Sequence, residues 1–461
     1  MDYQSYLNSL RGKRIGVIGF GVSNQPLVAA LLDSGCDVTI CDQRGMDSLE
    51  DAGRRAAEKG AKFCLGADYL EHLDFDLIFR TPGVLPIVPQ LKAAAKNGTE
   101  FTSEMEAFCA LCPCKIIAIT GSDGKTTTST VISELLKASG KTVHLGGNIG
   151  TPLFTRLPDI RKDDFTVLEL SSFQLHSMKC APDVAVITNV APNHLDVHPD
   201  FQDYVRAKQN IYRGQHEDAV LVLNQKDPHT PEFYLDAPGQ VRLFSSVGPV
   251  ENGVFVEDGV IYRAHHGERT PIIRASDIRI PGAHNVENYM AAFAALDGLI
   301  SNEDCFRVAS TFPGVPHRME FVRELHGVRF YNDSIASSPS RTIAGLHAWP
   351  KPPIILLGGH DKHIPFDELG DEICLNAKAA VICGETAGSI EAAIRNSKHF
   401  DEVKLPIVVE DDFKSAILNA YALAKPGDLV ALSPACSSFD KFKNFAERGN
   451  TFRKIVEALE E

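Results

Sequence analysis

The sequence predicts an α/β protein of three domains, and three observations lead there. Strand-sized apolar runs alternate with helical patterns along most of the 461 residues, the rhythm of sheets covered by helices. Two Gly-rich turns each follow such a run and precede a helical pattern. The length suits two to four domains of ordinary size, and 44% hydrophobic with 23% charged residues can fill sizeable cores.

Taken in order, apolar runs at 14–20, 37–41 and 76–79, with a helix from Pro26, predict a Rossmann-like N-terminal domain over residues 1–102. Runs at 115–120, 166–170, 184–188 and 220–223 predict a parallel sheet in a central domain, residues 103–310, and the Gly-Lys-Thr loop at 120–126 behind the first of them marks it as of the phosphate-loop ATPase type. Within it, Val254-Phe255-Val256 and Val260-Ile261-Tyr262 flank Asp258-Gly259, a hairpin signature that predicts a small antiparallel insert. A helix is expected over 286–300. Runs at 329–331, 354–357, 379–383 and 429–432 predict a second Rossmann-like domain, residues 311–461.

The formal net charge of -14 argues against generic binding to nucleic acid or anionic membranes. Any phosphate site must therefore be local. The first ten residues lack an apolar signal-peptide core, and no apolar run approaches membrane-span length. Eleven cysteines in such a chain read as reduced thiols, which predicts a cytoplasmic protein. Cys109, Cys112 and Cys114 lack a second Cys/His pair at zinc spacing and read as a packing segment.

The strongest motif is Thr120-Gly121-Ser122-Asp123-Gly124-Lys125-Thr126, with Thr127 opening the helical pattern behind it. Glycines let backbone N–H groups turn toward phosphate oxygens, the helix N-terminus favours negative charge, Lys125 reaches the terminal phosphates, and the Thr126 hydroxyl suits Mg²⁺. The loop departs from the standard phosphate-loop pattern, which wants glycine where Ile119 stands. A second turn, Gly19-Phe20-Gly21-Val22-Ser23-Asn24, followed by Asp42 after the next strand, approximates a dinucleotide fingerprint with Asn24 in place of its third glycine. A dehydrogenase would read the same way there, but would leave the phosphate loop unexplained.

Other polar residues follow strands. Glu169 suits Mg²⁺ through oxygen, although a solvated strand-end acid would look the same. His194 fits a metal ligand or an ordinary loop residue equally, and Lys208 on a predicted helix has no role from its position alone. Arg318, beyond the second junction, could grip phosphate bidentately. Asn332-Asp333-Ser334 and Gly358-Gly359-His360-Asp361-Lys362 are also compatible with plain turns.

Together these motifs resemble the Mur ligase family over nearly the whole chain. Gly146 to Gly150, Glu169 to Gln174, Asn189 to Asp196, His284 to Asn288 and Pro316 to Glu320 look like its central-domain and hinge motifs. Leu432-Ser433-Pro434-Ala435-Cys436-Ser437-Ser438-Phe439-Asp440, continuing to Phe445, Arg448 and Gly449, resembles the C-terminal run of its D-glutamate-adding members. The resemblance implies an ATP-dependent amide ligase acting on UDP-N-acetylmuramoyl-L-alanine and D-glutamate in peptidoglycan precursor synthesis. It implies small-molecule partners only, a monomer, and two Mg²⁺ ions.

Residue by residue, it assigns ATP to Gly121, Ser122, Asp123, Gly124, Lys125, Thr126, Thr127, Asn285, Asn288, Arg318 and Asp333. The metal ligands would be Thr126, Glu169, His194 and Lys208, the last as a carbamate, and Lys125, His194, Lys208 and Arg318 would be catalytic. Val22, Ser23, Asp42, Gln43, Arg44, Thr81, Pro82, Gly83 and Asn148 would serve the uridine nucleotide. Ser337, Ser338, Lys362, Ser438, Phe439 and Phe445 would serve the amino acid. One departure stands out: many D-glutamate-adding members carry lysine where this chain has Ile335, and threonine where it has Ser337. Arg341 is a candidate replacement cation or, equally, a solvated helix residue. Folate polyglutamylation and a non-catalytic nucleotide-binding module are the rival readings.

Overall fold

Strands dominated by Val, Ile, Leu and Ala build three sheets in the computed structural model, which describes residues 1–192, 197–362 and 364–460. The first sheet holds β1 (Arg14–Ile18), β2 (Asp37–Asp42), β3 (Lys62–Leu65), β4 (Leu77–Arg80) and β5 (Glu100–Thr102), in the order β3-β2-β1-β4-β5. Every pairing in it is parallel. The second holds β6 (Lys115–Thr120), β7 (Val143–Gly147), β8 (Phe165–Glu169), β9 (Val184–Ile187), β10 (Val220–Asn224), β11 (Gln240–Ser245), β12 (Gly253–Glu257), β13 (Val260–His265) and β14 (Glu268–Arg274). Its order is β14-β13-β12-β11-β10-β9-β6-β8-β7. The third holds β15 (Glu320–Leu325), β16 (Val328–Asn332), β17 (Ile354–Leu357), β18 (Ala379–Cys383), β19 (Ile407–Glu410) and β20 (Leu429–Leu432), ordered β15-β16-β20-β17-β18-β19.

Buried strands such as β4, β10, β17, β18 and β20 are covered on both faces, which explains why they read as unbroken apolar runs. The short edge strands β3, β5 and β19 carry mixed residues and escaped the sequence reading. The expected hairpin is present as β12–β13, with Asp258 at φ 50° and Gly259 at φ 74°, as a type I′ turn requires. It is an extension of the sheet, because β12 pairs in parallel with β11 before β13 and β14 return antiparallel.

The chain divides into two compact units, residues 1–275 with 287–308, and residues 276–286 with 309–461. The first contains the first two sheets and the second contains the third. In the second sheet β6 has β8 on one side and β9 on the other. Such a reversal of strand order opens a crevice at the C-terminal strand ends, where α/β proteins bind ligands.

Candidate active site

The loop from Gly121 to Gly124 leaves β6 at that crevice, and the helix Lys125–Ala138 follows at once. Gly124 caps the helix in the left-handed conformation, φ 77°, and a Cβ there would run into Asn288 Oδ1. Asn189, at the end of the neighbouring strand, shapes the loop: its Oδ1 accepts from Ser122 N at 3.1 Å and Asp123 N at 2.9 Å, and its carbonyl accepts from Ser122 N at 2.9 Å. Asn288 Oδ1 also accepts from Thr128 Oγ1 at 3.2 Å, which ties the helix Ala283–Ala295 to the loop. Lys125 lies over the loop, its Nζ donating to the carbonyls of Gly121 and Ser122, both at 2.9 Å. Ile119, where the standard pattern has glycine, is buried within β6 opposite Glu169.

Lys208 is no surface lysine. On the helix Phe201–Gln209 it is 1% exposed, and its Nζ donates to the same Gly121 carbonyl at 2.6 Å. Burial and the nearby charge of Lys125 hold its ammonium well below the ordinary lysine value, favouring the neutral amine. Tyr204, one turn earlier, joins the two features: its hydroxyl is 3.0 Å from Ser122 Oγ, and its ring centroid is 4.5 Å from Lys208 Nζ. Sequence reading missed Tyr204, since an i, i+4 Tyr–Lys pair is common on helices.

Glu169 ends β8 at the same edge, 1% exposed. Its Oε1 accepts from Asn148 Nδ2 at 2.9 Å, while the buried Oε2 has no hydrogen-bond partner. A buried carboxylate oxygen without a donor is costly, and a hard cation would satisfy it. With Thr126 at the helix start, this donor set fits Mg²⁺. His194 lies outside the described residues.

In the first sheet, Val22, Ser23, Thr81 and Pro82 line one pocket together with Arg80, Glu104 and Gln174. Asn24, in place of the fingerprint's third glycine, is buried and donates from Nδ2 to the carbonyls of Gly19 at 2.7 Å and Ile18 at 3.3 Å. Asp42 accepts from Phe20 N at 2.7 Å and from Arg44 Nε and Nη2, both at 2.9 Å. Burial raises its carboxyl, but these donors prevail and hold it at about 2. Gln43 and Gly83 are exposed on the adjoining loops. Arg80 is buried and donates to Val84 O at 2.6 Å and Ser177 Oγ at 2.7 Å. A strand-end arginine after an apolar run carries no sequence signal for this role.

In the second unit, Asp333 follows β16 and is buried, accepting from Ser433 Oγ at 2.9 Å and Met319 N at 3.2 Å. Burial lifts its carboxyl to about 7 against the pull of those donors and of Arg318 and Arg341. Arg318 sits between His317 and Met319, both at positive φ, with its Nε buried and unpartnered. Asn285 donates to the Pro281 carbonyl at 2.5 Å. Arg448, 2% exposed, binds four acceptors around two loops: Ser334 Oγ and O, Cys436 O and Ser437 O, at 2.9–3.1 Å. Lys362 Nζ donates to Ser337 O at 2.9 Å, and Arg341 Nη1 to Ile335 O at 3.2 Å. Ser338 stands at the N-cap position of the helix Pro339–Ala348 without a side-chain capping bond, and Ser438 is buried. Phe439 is exposed with its ring 6.4 Å from that of His360, and Phe445 lies edge-on to His317 at 5.9 Å.

Fold and loop together define a nucleotide-binding α/β enzyme whose phosphate loop stands on the second sheet in chain order. Residues 119–296 match the Mur ligase middle domain, and residues 317–436 match the family described as Mur ligase, glutamate ligase domain. The chain is 46% identical, over 99% of its length and 99% of the relative's, to a UDP-N-acetylmuramoylalanine–D-glutamate ligase of Ruminiclostridium cellulolyticum. Two solved structures share the fold: MurF from Acinetobacter baumannii, at 19% identity and TM-score 0.59 over 96% of this chain and 90% of that one, and the MurF ligase from Thermotoga maritima in complex with ADP, at 19% and 0.55 over 98% and 96%. The chain belongs to the Mur ligase family of ATP-dependent, amide-bond-forming enzymes.

Proposed function

We propose that this chain adds D-glutamate to UDP-N-acetylmuramoyl-L-alanine at the expense of ATP, acting in the cytoplasm as a monomer. The observation that carries the reading is a match along 99% of the chain to a relative named for that ligation. Residues 1–102 would serve the uridine nucleotide, 103–310 ATP, and 311–461 the amino acid. Among the described residues no helix is long and apolar enough to cross a membrane.

A carboxylate is a poor electrophile, so it must first be activated. An oxygen of the L-alanyl carboxylate attacks the γ-phosphorus of ATP, ADP leaves, and an acyl phosphate forms. The free amine of D-glutamate attacks the acyl carbon. The tetrahedral intermediate expels phosphate, the nitrogen gives up one proton to that phosphate, and the amide remains. Lys125 and the loop N–H groups bind phosphate charge as it moves. Arg318, Asp333, Asn285 and Asn288 would serve ATP, as the resemblance implies. Mg²⁺ held by Thr126 and Glu169 would neutralise phosphate charge. A neutral Lys208 amine can add to CO₂, losing one proton, to give a carbamate whose oxygens, with His194, would hold a second ion.

ADP release measured with the uridine-linked acceptor and a panel of amino acids tests the proposal. Turnover should require the acceptor and be highest with D-glutamate. Preference for a neutral or basic amino acid would overturn it.

A further inference from the structure

Apart from the phosphate loop and Glu169, three ligand-type groups converge beside the helix that carries Lys208. His176 follows the short helix Ser172–Leu175, His198 precedes the helix Phe201–Gln209, and Asp203 lies in that helix's first turn. One ligand atom from each falls within 4.8 Å of the others. His198 Nδ1 is 2.7 Å from Asp203 Oδ2, and His176 Nε2 is 3.1 and 3.2 Å from the two carboxylate oxygens. Their side chains are 0%, 12% and 17% exposed for His198, His176 and Asp203, so the group is walled in but reachable past His176 and Asp203.

We propose that His176, His198 and Asp203 form a binding site for a divalent transition-metal ion of the Zn²⁺ or Co²⁺ class. The donor set selects the metal: two imidazoles and one carboxylate suit zinc, cobalt or nickel, whereas Mg²⁺ prefers oxygen alone. Three protein ligands with the fourth position left to water is an ordinary zinc arrangement. Bonds of about 2.0–2.2 Å from one ion to each ligand separate the ligand atoms by a little over 3 Å, so small side-chain shifts suffice. The free nitrogen of His198 already has its partner: Nε2 is 3.0 Å from Ser172 Oγ, which would accept its proton when Nδ1 binds the ion. The His198 ring is stacked on Phe173 at 5.5 Å and meets Tyr204 edge-on at 5.2 Å, which fixes its plane. Arg206 reaches Asp203 Oδ1 only at 3.9 Å and is itself exposed, so it can withdraw.

Such an ion would clamp the start of the helix that carries Tyr204 and Lys208 to the segment following Glu169. Its role is structural support for the phosphate loop, separate from Mg²⁺.

Cobalt titration of the full chain in excess Mg²⁺ tests this by the visible absorption of four-coordinate Co²⁺. One Co²⁺ per chain is expected, displaceable by Zn²⁺, with affinity lowered about tenfold or more in His176→Gln. In the unmodified chain, Zn²⁺ should also protect His176 from diethyl pyrocarbonate, mapped by peptide mass spectrometry. Absence of the cobalt signal, a signal that His176→Gln leaves unchanged, or equal modification of His176 with and without Zn²⁺ would overturn the site and leave three groups held by hydrogen bonds alone.

Discussion

Lys208 owes its chemistry to burial. Beneath the phosphate loop, burial first and then the charge of Lys125 lower its ammonium well below the ordinary lysine value. Lys208→Arg replaces the amine by a guanidinium that cannot form a carbamate, and should lower ADP release by on the order of 10²-fold or more if the proposed carbamate forms; a fully active variant would remove the carbamate from the proposal. Asp333 carries the opposite imprint. Its folded-state value is raised to about 7, so the stability it contributes is fully present below the unfolded value of 3.8 and is lost as pH rises through about 7. Asp333→Asn should flatten that part of the fall in melting temperature between about pH 4 and 7. An unchanged profile would show that another group titrates there. In the proposed amino-acid site, Ile335 stands where the resemblance places a lysine. Arg341, exposed and donating to the Ile335 carbonyl, is either the replacement cation for the amino acid or a solvated helix residue. Because a hydrogen bond to a charged group is worth about 1.5–3 kcal/mol, Arg341→Ala should raise KM for D-glutamate roughly tenfold or more while KM for ATP stays the same. Steady-state kinetics with each substrate varied will decide it.

At the scale of elements, the site is a set of strand ends. β6, β8 and β9 are neighbours in one sheet, and the loops they release carry the phosphate loop, Glu169 and Asn189 to one edge. The turn at Gly124 makes the loop possible. An alanine there would bear about 1–2 kcal/mol of left-handed strain and would collide with Asn288. Gly124→Ala should therefore weaken ATP binding about tenfold, since that strain alone amounts to roughly a factor of ten, while the circular dichroism spectrum is retained. Tight ATP binding by this variant, measured calorimetrically, would mean that the loop tolerates a different path. In the second unit Arg448 has the corresponding architectural role, satisfying four acceptors on the Ser334 and Cys436–Ser437 loops from one buried guanidinium.

For the whole molecule, ligand binding and stability are linked. A nucleotide at one hundred times its Kd should stabilise the folded chain by about 2.7 kcal/mol. ATP with Mg²⁺ should raise the melting temperature of the native sequence, and Lys125→Ala should abolish the rise while melting normally without nucleotide. A rise that survives Lys125→Ala would move ATP away from this loop.

Most of the central strands were legible because sheets buried on both faces demand unbroken apolar runs. The phosphate loop was legible because glycines and Lys125-Thr126 must be contiguous for backbone and side chain to reach one ligand. Tyr204 and Arg80 were not legible as site or support residues, and Asn189 and Arg448 were legible only as members of family motifs, because what defines their roles is proximity to groups tens to more than a hundred positions away. The sequence by itself determined the α/β class, the phosphate loop and the family motifs, all of which are written in local pattern. Only the tertiary structure decided that Lys208 is buried under the loop, that one oxygen of Glu169 lacks a partner, and that His176, His198 and Asp203 meet, since burial and convergence depend on how distant segments pack.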